Sequence, residues 1–188
     1  NYGKKLFGYD SAGRQNQTTC AGGTVDKTTY NAMGWAVQEE LGTSAGLTVT
    51  RTSAYDDDGN QIEVVLPVGG GATPRETTYA YDWRNRQTQQ TTTVEKDGGG
   101  TWTLIQTVTY DNRGLALSST GYHTAVDDDY RSSHQTTDYD VLGRQYRTKV
   151  YGVDAATGAI SHPQESNVYY EAGGQVARSA PSGSKLFT

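Results

Sequence analysis

Apolar, β-branched and aromatic residues occur along this chain in short extended runs, each closed by a cluster of polar turn residues. Thr103-Leu104-Ile105-Gln106-Thr107-Val108-Thr109 and Leu115-Ala116-Leu117-Ser118 are typical of these runs. Such composition suits strands, whose pleat accommodates branched and aromatic side chains. No segment sustains apolar residues at the 3.6-residue helical spacing, and even Ala32 to Leu41 reads as the arm of a hairpin. The pattern predicts strands throughout.

The runs are held in order by a repeat. Tyrosine is followed four residues later by glycine or asparagine at Tyr9/Gly13, Tyr30/Gly34, Tyr55/Gly59, Tyr81/Asn85, Tyr110/Gly114, Tyr139/Gly143 and Tyr170/Gly174. Asp follows the tyrosine in five of these pairs, and Asn31 or Glu171 in the other two. Asp at the first position of a turn can accept backbone N–H bonds from residues two further on. The fourth position is where a type I turn runs into positive φ, which glycine adopts freely and asparagine tolerates next best. Each repeat is therefore expected to be a β-hairpin, with turns near 10–13, 31–34, 56–59, 82–85, 111–114, 140–143 and 171–174.

Successive tyrosines lie from about 21 to about 31 residues apart, within the range of repeat architectures. The tyrosine-side turn keeps its length, so the variation must fall in the opposite connections. These are marked by Ala21-Gly22-Gly23, Gly42 to Gly46, Gly69-Gly70-Gly71, Asp97 to Gly100, and Gly152 to Pro163. One margin of the sheet should be regular and the other ragged. The tyrosines, sharing a register, should form a ladder on one face and be mostly buried.

The motif Tyr-Asp-x-x-Gly-Arg, as in Tyr9-Asp10-Ser11-Ala12-Gly13-Arg14 and Tyr139-Asp140-Val141-Leu142-Gly143-Arg144, resembles the signature of the YD-repeat (Rhs-like) family. The resemblance runs over nearly the whole chain. Three repeats depart from it, at Asn31, Asn85 and Glu171, and keep the turn chemistry. It implies an all-β array of about seven antiparallel hairpins, side by side in a curved or spiralling sheet that walls a shell, tube or filament. Family members include toxin-encapsulating shells, bacterial wall-associated proteins and teneurins. On this reading residues 1–188 are one array and a segment of a longer chain.

Composition narrows the function classes. Leu, Ile, Val and Phe make up only roughly 15% of the chain, too little for a thick core. The 14 Tyr and 3 Trp partly replace them, which favours a thin ordered sheet over disorder. A net charge of −5 with no Lys/Arg run argues against nucleic-acid binding. No stretch approaches the ~20 apolar residues of a membrane helix, so no membrane insertion is expected.

Candidate chemistry is sparse. Asp56-Asp57-Asp58-Gly59-Asn60 superficially resembles a calcium loop, but the twelfth position from Asp56 is Pro67 where an EF-hand needs Glu. Asp127-Asp128-Asp129 reads as a second acidic loop, and calcium binding at either is left open. His123, His134 and His162 lack zinc-site spacing, and Cys20 has neither a disulfide partner nor a recognisable catalytic one. No catalytic, cofactor or metal residues are expected. Arg14, Arg86 and Arg144, each following a turn glycine or asparagine, are candidates to pair with the neighbouring turn's Asp.

The function expected is a non-enzymatic scaffold, secreted or on a bacterial cell surface, partnered by neighbouring repeats or copies of itself. The alternative is a carbohydrate-binding or adhesion module presenting Trp35, Trp83 and Trp102. An encapsulated polypeptide is a further partner of the family type. Similar segments at the two ends, Lys5-Leu6-Phe7 and Lys185-Leu186-Phe187, are expected to pair with more of the same polymer.

Overall fold

The computed structural model describes residues 3–69, 72–95, 99–124, 129–154, 156–171, 174–179 and 185–187, with side chains at all but 123–124, 129–131, 175–179 and 185–187. Gly70, Gly71, Asp97, Gly98 and Asp127-Asp128, named above as loop residues, lie outside this set. The described chain is all-β. Its strands are β1 Leu6–Tyr9, β2 Gln15–Thr19, β3 Thr24–Tyr30, β4 Ala36–Thr43, β5 Gly46–Tyr55, β6 Gln61–Leu66, β7 Arg75–Tyr81, β8 Gln87–Glu95, β9 Thr101–Tyr110, β10 Ala116–Thr124, β11 Asp129–Tyr139, β12 Gln145–Val153, β13 Ile160–Glu171, β14 Gly174–Ser179 and β15 Lys185–Phe187.

Contacts divide the chain into two units, Asn1–Asn85 and Arg86–Thr188. In the first, β1 to β7 pair antiparallel in chain order. In the second, β8 to β15 do the same. Each unit is an open meander, in which each inner strand pairs with its two sequence neighbours.

The register is the same in the first three, the fifth and the sixth hairpins. Within a hairpin, the anchor tyrosine faces the second residue after the turn glycine, and the residue before the tyrosine faces the fourth. Tyr9↔Gln15 and Gly8↔Gln17 show the step, as do Tyr55↔Gln61 with Ala54↔Glu63 and Tyr139↔Gln145 with Asp138↔Arg147. One residue is thereby bulged out of each outgoing strand: Asn16, Val37, Ile62, Leu117 and Tyr146. Bulges bend and twist a strand locally. Between hairpins, the first paired residue is again the fourth after the turn, facing the third before the next tyrosine. The pairs are Gln17↔Lys27, Gln38↔Thr52, Glu63↔Thr78, Gln89↔Thr107, Ser118↔Thr136 and Arg147↔Asn167.

The seven expected turn positions all have positive φ: Gly13 and Gly143 at 79°, Gly34 at 91°, Gly59 at 86°, Asn85 at 59°, Gly114 at 94° and Gly174 at 123°. Six have the expected turn. The seventh differs, because Glu171 and Gly174 face each other as a strand pair. Its loop is thus one residue shorter, and Gly174 begins β14 instead of ending the turn; Ala172 and Gly173 lie outside the described residues. The opposite connections do vary in length, from the two residues between β4 and β5 to the eight between β6 and β7.

The core is thin. Among the described residues only Val25 and Val64 are buried hydrophobic side chains, joined by the buried Thr120 and Thr137. The expectation of mostly buried tyrosines is therefore corrected: Tyr30, Tyr55, Tyr81, Tyr110, Tyr139 and Tyr170 are half-buried, and Tyr9 is exposed. A single-layer sheet has no second layer to cover its aromatic face. Where Gly114 holds φ +94, valine is expected to destabilise the protein by about 1–3 kcal/mol, whereas asparagine, as at Asn85, costs less. Urea denaturation of Gly114→Val and Gly114→Asn tests the ranking; equal stability of the two variants would contradict it.

Candidate functional site: the junction between hairpins

Five of the turns are closed by a fork from their first side chain. Asp10 Oδ1 accepts the backbone N–H groups of Ala12 and Arg14, both at 2.9 Å. The same fork recurs at Asn31, Asp56, Asp111 and Asp140. Asn31 shows that the bond needs only an oxygen acceptor, which explains the departure from Asp. The backbone completes the turn, with Gly13 N–H donating to the Asp10 carbonyl at 3.0 Å and Asp10 N–H to that of Arg14 at 2.9 Å. In the second repeat Gly34 N–H donates to the Asn31 carbonyl at 3.0 Å, and Asn31 N–H to that of Trp35 at 2.9 Å.

Beyond the turn, neighbouring hairpins part. The ladder between them begins only at the fourth residue, leaving the carbonyl of the second without a strand partner. The next anchor tyrosine supplies one. Tyr30 Oη donates to the Gln15 carbonyl at 3.3 Å, Tyr55 to Ala36 at 3.0 Å and Tyr81 to Gln61 at 2.9 Å. In the second unit Tyr110 donates to Gln87 at 3.0 Å and Tyr170 to Gln145 at 2.8 Å. The tyrosine hydroxyl thus takes the place of a backbone donor, which satisfies a group that would otherwise rely on water.

The residue directly after the turn makes a second link. Arg14 sits 5.0 Å over the Tyr30 ring and donates to the Asn31 carbonyl at 3.1 Å. Arg86 lies over Tyr110 at 4.7 Å and donates to the Asp111 carbonyl at 2.9 Å, and Arg144 lies over Tyr170 at 4.5 Å. The expected pairing with the neighbouring turn's carboxylate is corrected here. Arg14 and Arg144 bind the carboxylates of their own turns, Asp10 and Asp140, both at 2.7 Å. Those carboxylates are within reach of Nε, which leaves Nη1 of Arg14 to extend to the next turn's backbone.

Gly34 keeps the expected role: its φ of +91 requires glycine, whereas a Cβ there would stand 3.4 Å from the mobile end of Arg14, an ordinary contact.

Other residues make the link where Arg is absent. Trp35 stacks on Tyr55, centroids 5.4 Å apart, and a Cβ at Gly59 would come within 2.9 Å of the indole. Gly59 is thus required by close approach as well as by its φ of +86. Asn60 divides its amide between Asp56 and the side chain of Asn85, which gives asparagine at 85 a second role. In the fifth repeat Leu115 packs near Gly143, while Arg113, from inside the turn, donates to the Asp140 carbonyl at 3.1 Å. Sequence reading missed Trp35, Asn60, Leu115 and Arg113 as linkers. Aligning the residue after each turn would have marked the first three positions; Arg113 departs from that column.

The predicted repeat residues therefore come together in rows, one in each unit. The His, Cys and acidic residues weighed as candidates do not. Among the described residues no three His, Cys, Asp or Glu converge as metal ligands would. His134 is engaged with Thr120 at 2.8 Å and stacks on Tyr151, and Cys20 is exposed. Trp83 projects from its turn, 82% exposed, with the Arg84 guanidinium 4.5 Å over it.

No protein-family model and no curated protein matches the sequence. In fold, the chain is similar to a chain in the crystal structure of TcdB2-TccC3-Cdc42 and to one in that of TcdB2-TccC3 without hypervariable C-terminal region. For each the TM-score is 0.53 at 12% identity, over 92% of this chain and 11% of the other. The likeness is one of fold: this chain spans about a tenth of the length of those it matches. Hairpin arrays of this kind exist within much larger polypeptides.

The junction generates two expectations. Removing one hydroxyl, as in Tyr110→Phe, is expected to cost about 1 kcal/mol, read from the shift in urea midpoint; no shift would show that water serves the Gln87 carbonyl equally well. The second concerns acid. The Asp10, Asp111 and Asp140 carboxyls are held below their ordinary value mainly by the N–H groups of Arg14, Leu115 and Arg144, and Asp56 mainly by the Asn60 amide; loss of hydration opposes this and is outweighed. A carboxyl whose pKa is lower when folded stabilises the fold above its unfolded value, near 3.8, and ceases to as pH falls through the folded value. Stability should therefore fall on acidification below about pH 4. Asp140→Asn, keeping the fork but not the charge, should show a shallower fall than the parent; identical pH profiles would contradict the assignment.

Proposed function

We propose that this chain is a non-enzymatic structural scaffold, a stretch of YD-repeat sheet forming part of the wall of an extracellular filament, tube or encapsulating shell. The observation that carries this reading is the junction itself. Its contacts are directed from one hairpin to the next, and the most regular side chains are engaged in joining repeats. Such an array gains stability from each added neighbour, so its natural product is surface. The likeness in fold to short stretches of much longer chains agrees with a wall segment. The resemblance of the repeat motif suits a wall on a bacterial surface or in a secreted assembly, with an encapsulated polypeptide as its content in the shell case.

A carbohydrate-binding or adhesion module is the second reading, and Trp83 is the observation that favours it. Trp35 argues the other way, being packed between turns. Negative-stain images of the purified protein, with light scattering over a range of concentrations, separate the two. Elongated or enclosing particles that grow with concentration are expected. Uniform monomers together with Trp83-dependent retention on a glycan array would replace the scaffold reading with the adhesion one.

A further inference from the structure

The first unit contains a hollow. Pairing sets Thr19, Val25, Gly42 and Leu47 in one row across β2, β3, β4 and β5, on one face of the sheet. Gly42 has no side chain there, and the loop from β4 to β5 folds back over it, so that a Cβ would collide with the Gly46 carbonyl oxygen. The hollow measures about 360 Å³, with Val25 and Leu47 as its floor, Gln17 and Thr19 beside them and residues 43–46 as the wall. No charged residue lines it. Gln17, Thr19 and Thr43 are already engaged: Gln17 Nε2 donates to Thr19 Oγ1 at 3.4 Å, and Thr43 Oγ1 accepts the Ala45 N–H at 3.3 Å. An uncharged apolar group suits such a site.

The second unit presents one. Val141 and Leu142, at the tip of the sixth hairpin, are 94% and 72% exposed. The tip is held from below, because Arg113 Nη1 donates to the Asp140 and Val141 carbonyls at 3.1 and 3.3 Å. Leu142 N–H is bound by Asp140 Oδ1 at 2.9 Å, and Gly143 N–H by the Asp140 carbonyl at 3.0 Å. These backbone groups can leave water without losing their hydrogen bonds. Trp83, the other large apolar tip, would carry the Arg84 guanidinium with it into a site that has no carboxylate.

We propose that the Val141-Leu142 tip of one copy of this chain seats in the hollow of another. Tip and hollow are different patches, so each copy offers one of each and the contact can continue from copy to copy. The inference rests on the scaffold reading in one respect. Two side chains cover far less than the about 1,000 Å² of a specific interface, so the contact matters where many copies repeat it. A single contact of this size should bind on the order of millimolar.

Whole chains provide the test. Leu142→Asp spoils the tip and keeps the hollow, whereas Ala45→Asp spoils the wall of the hollow and keeps the tip; both positions are exposed. Isotope-labelled Leu142→Asp chain is titrated with unlabelled Ala45→Asp chain and followed by NMR. Saturable shifts at Thr19, Val25, Leu47 and residues 43–46 are expected, unaffected by added salt because no charge takes part. With unlabelled Leu142→Asp chain as titrant, binding should be at least about ten-fold weaker. Equal shifts from both titrants, or none from the first, would overturn the proposal. So would a hollow that answers to cyclohexanol and not to the second chain, which would make it a small-molecule site. If the titration fails, the scaffold reading still stands on the junctions between hairpins. If it succeeds while images show only dispersed particles, the contact holds and the wall reading fails.

Discussion

The carbonyl oxygen two residues beyond each turn points toward the next hairpin where the two strands have already separated. A backbone group in that position needs a donor, and the ladder cannot reach it. At five junctions the anchor tyrosine of the following hairpin bridges the gap, and much else follows from that one bond. It fixes which residue must be tyrosine, since phenylalanine has no donor and shorter hydroxyls have no reach. It sets the register between hairpins, because the hydroxyl meets the carbonyl only if the ladder begins at the fourth residue after the turn. It also keeps the ring where an arginine from the preceding turn can cover it.

This arrangement explains how a chain so poor in large aliphatic residues keeps order. Only two hydrophobic side chains are buried among the described residues. The stabilising contacts are instead spread as small, repeated increments: an Asp or Asn fork in five of the turns, a tyrosine hydroxyl bond, and a cation over a ring worth about 0.5–1 kcal/mol at exposed sites. None would stabilise an isolated hairpin, which is marginal in water. Added along a row they suffice, because each hairpin serves as acceptor for one neighbour and donor to the next. The half-exposed cross-strand ion pairs, such as Arg147 with Asp138, are screened by solvent and contribute little beyond register.

The same division separates constant from variable parts. The turn-side margin is built from a fixed grammar, whereas connections on the other margin differ in length and composition. The ragged margin, and the turn tips such as Trp83, can therefore vary without disturbing the junctions.

The hairpins and turn residues, and with them the all-β class, were legible in the sequence because a turn is a local object. Asp or Asn at its first position and a positive-φ residue at its fourth are readable within five residues, as Gly34 and Asn85 show. What the sequence could not convey was how far the tyrosines would be buried, where Arg14 and Arg144 would place their charge, and that the seventh loop would be one residue short. Burial depends on whether a second layer covers the face, and no local pattern specifies that. Arg14 could reach a carboxylate on either side, and only the packed turn showed that its own Asp10 was nearer. The hydroxyl-to-carbonyl bond joins residues some 15 to 25 positions apart, so it exists only once two hairpins lie side by side.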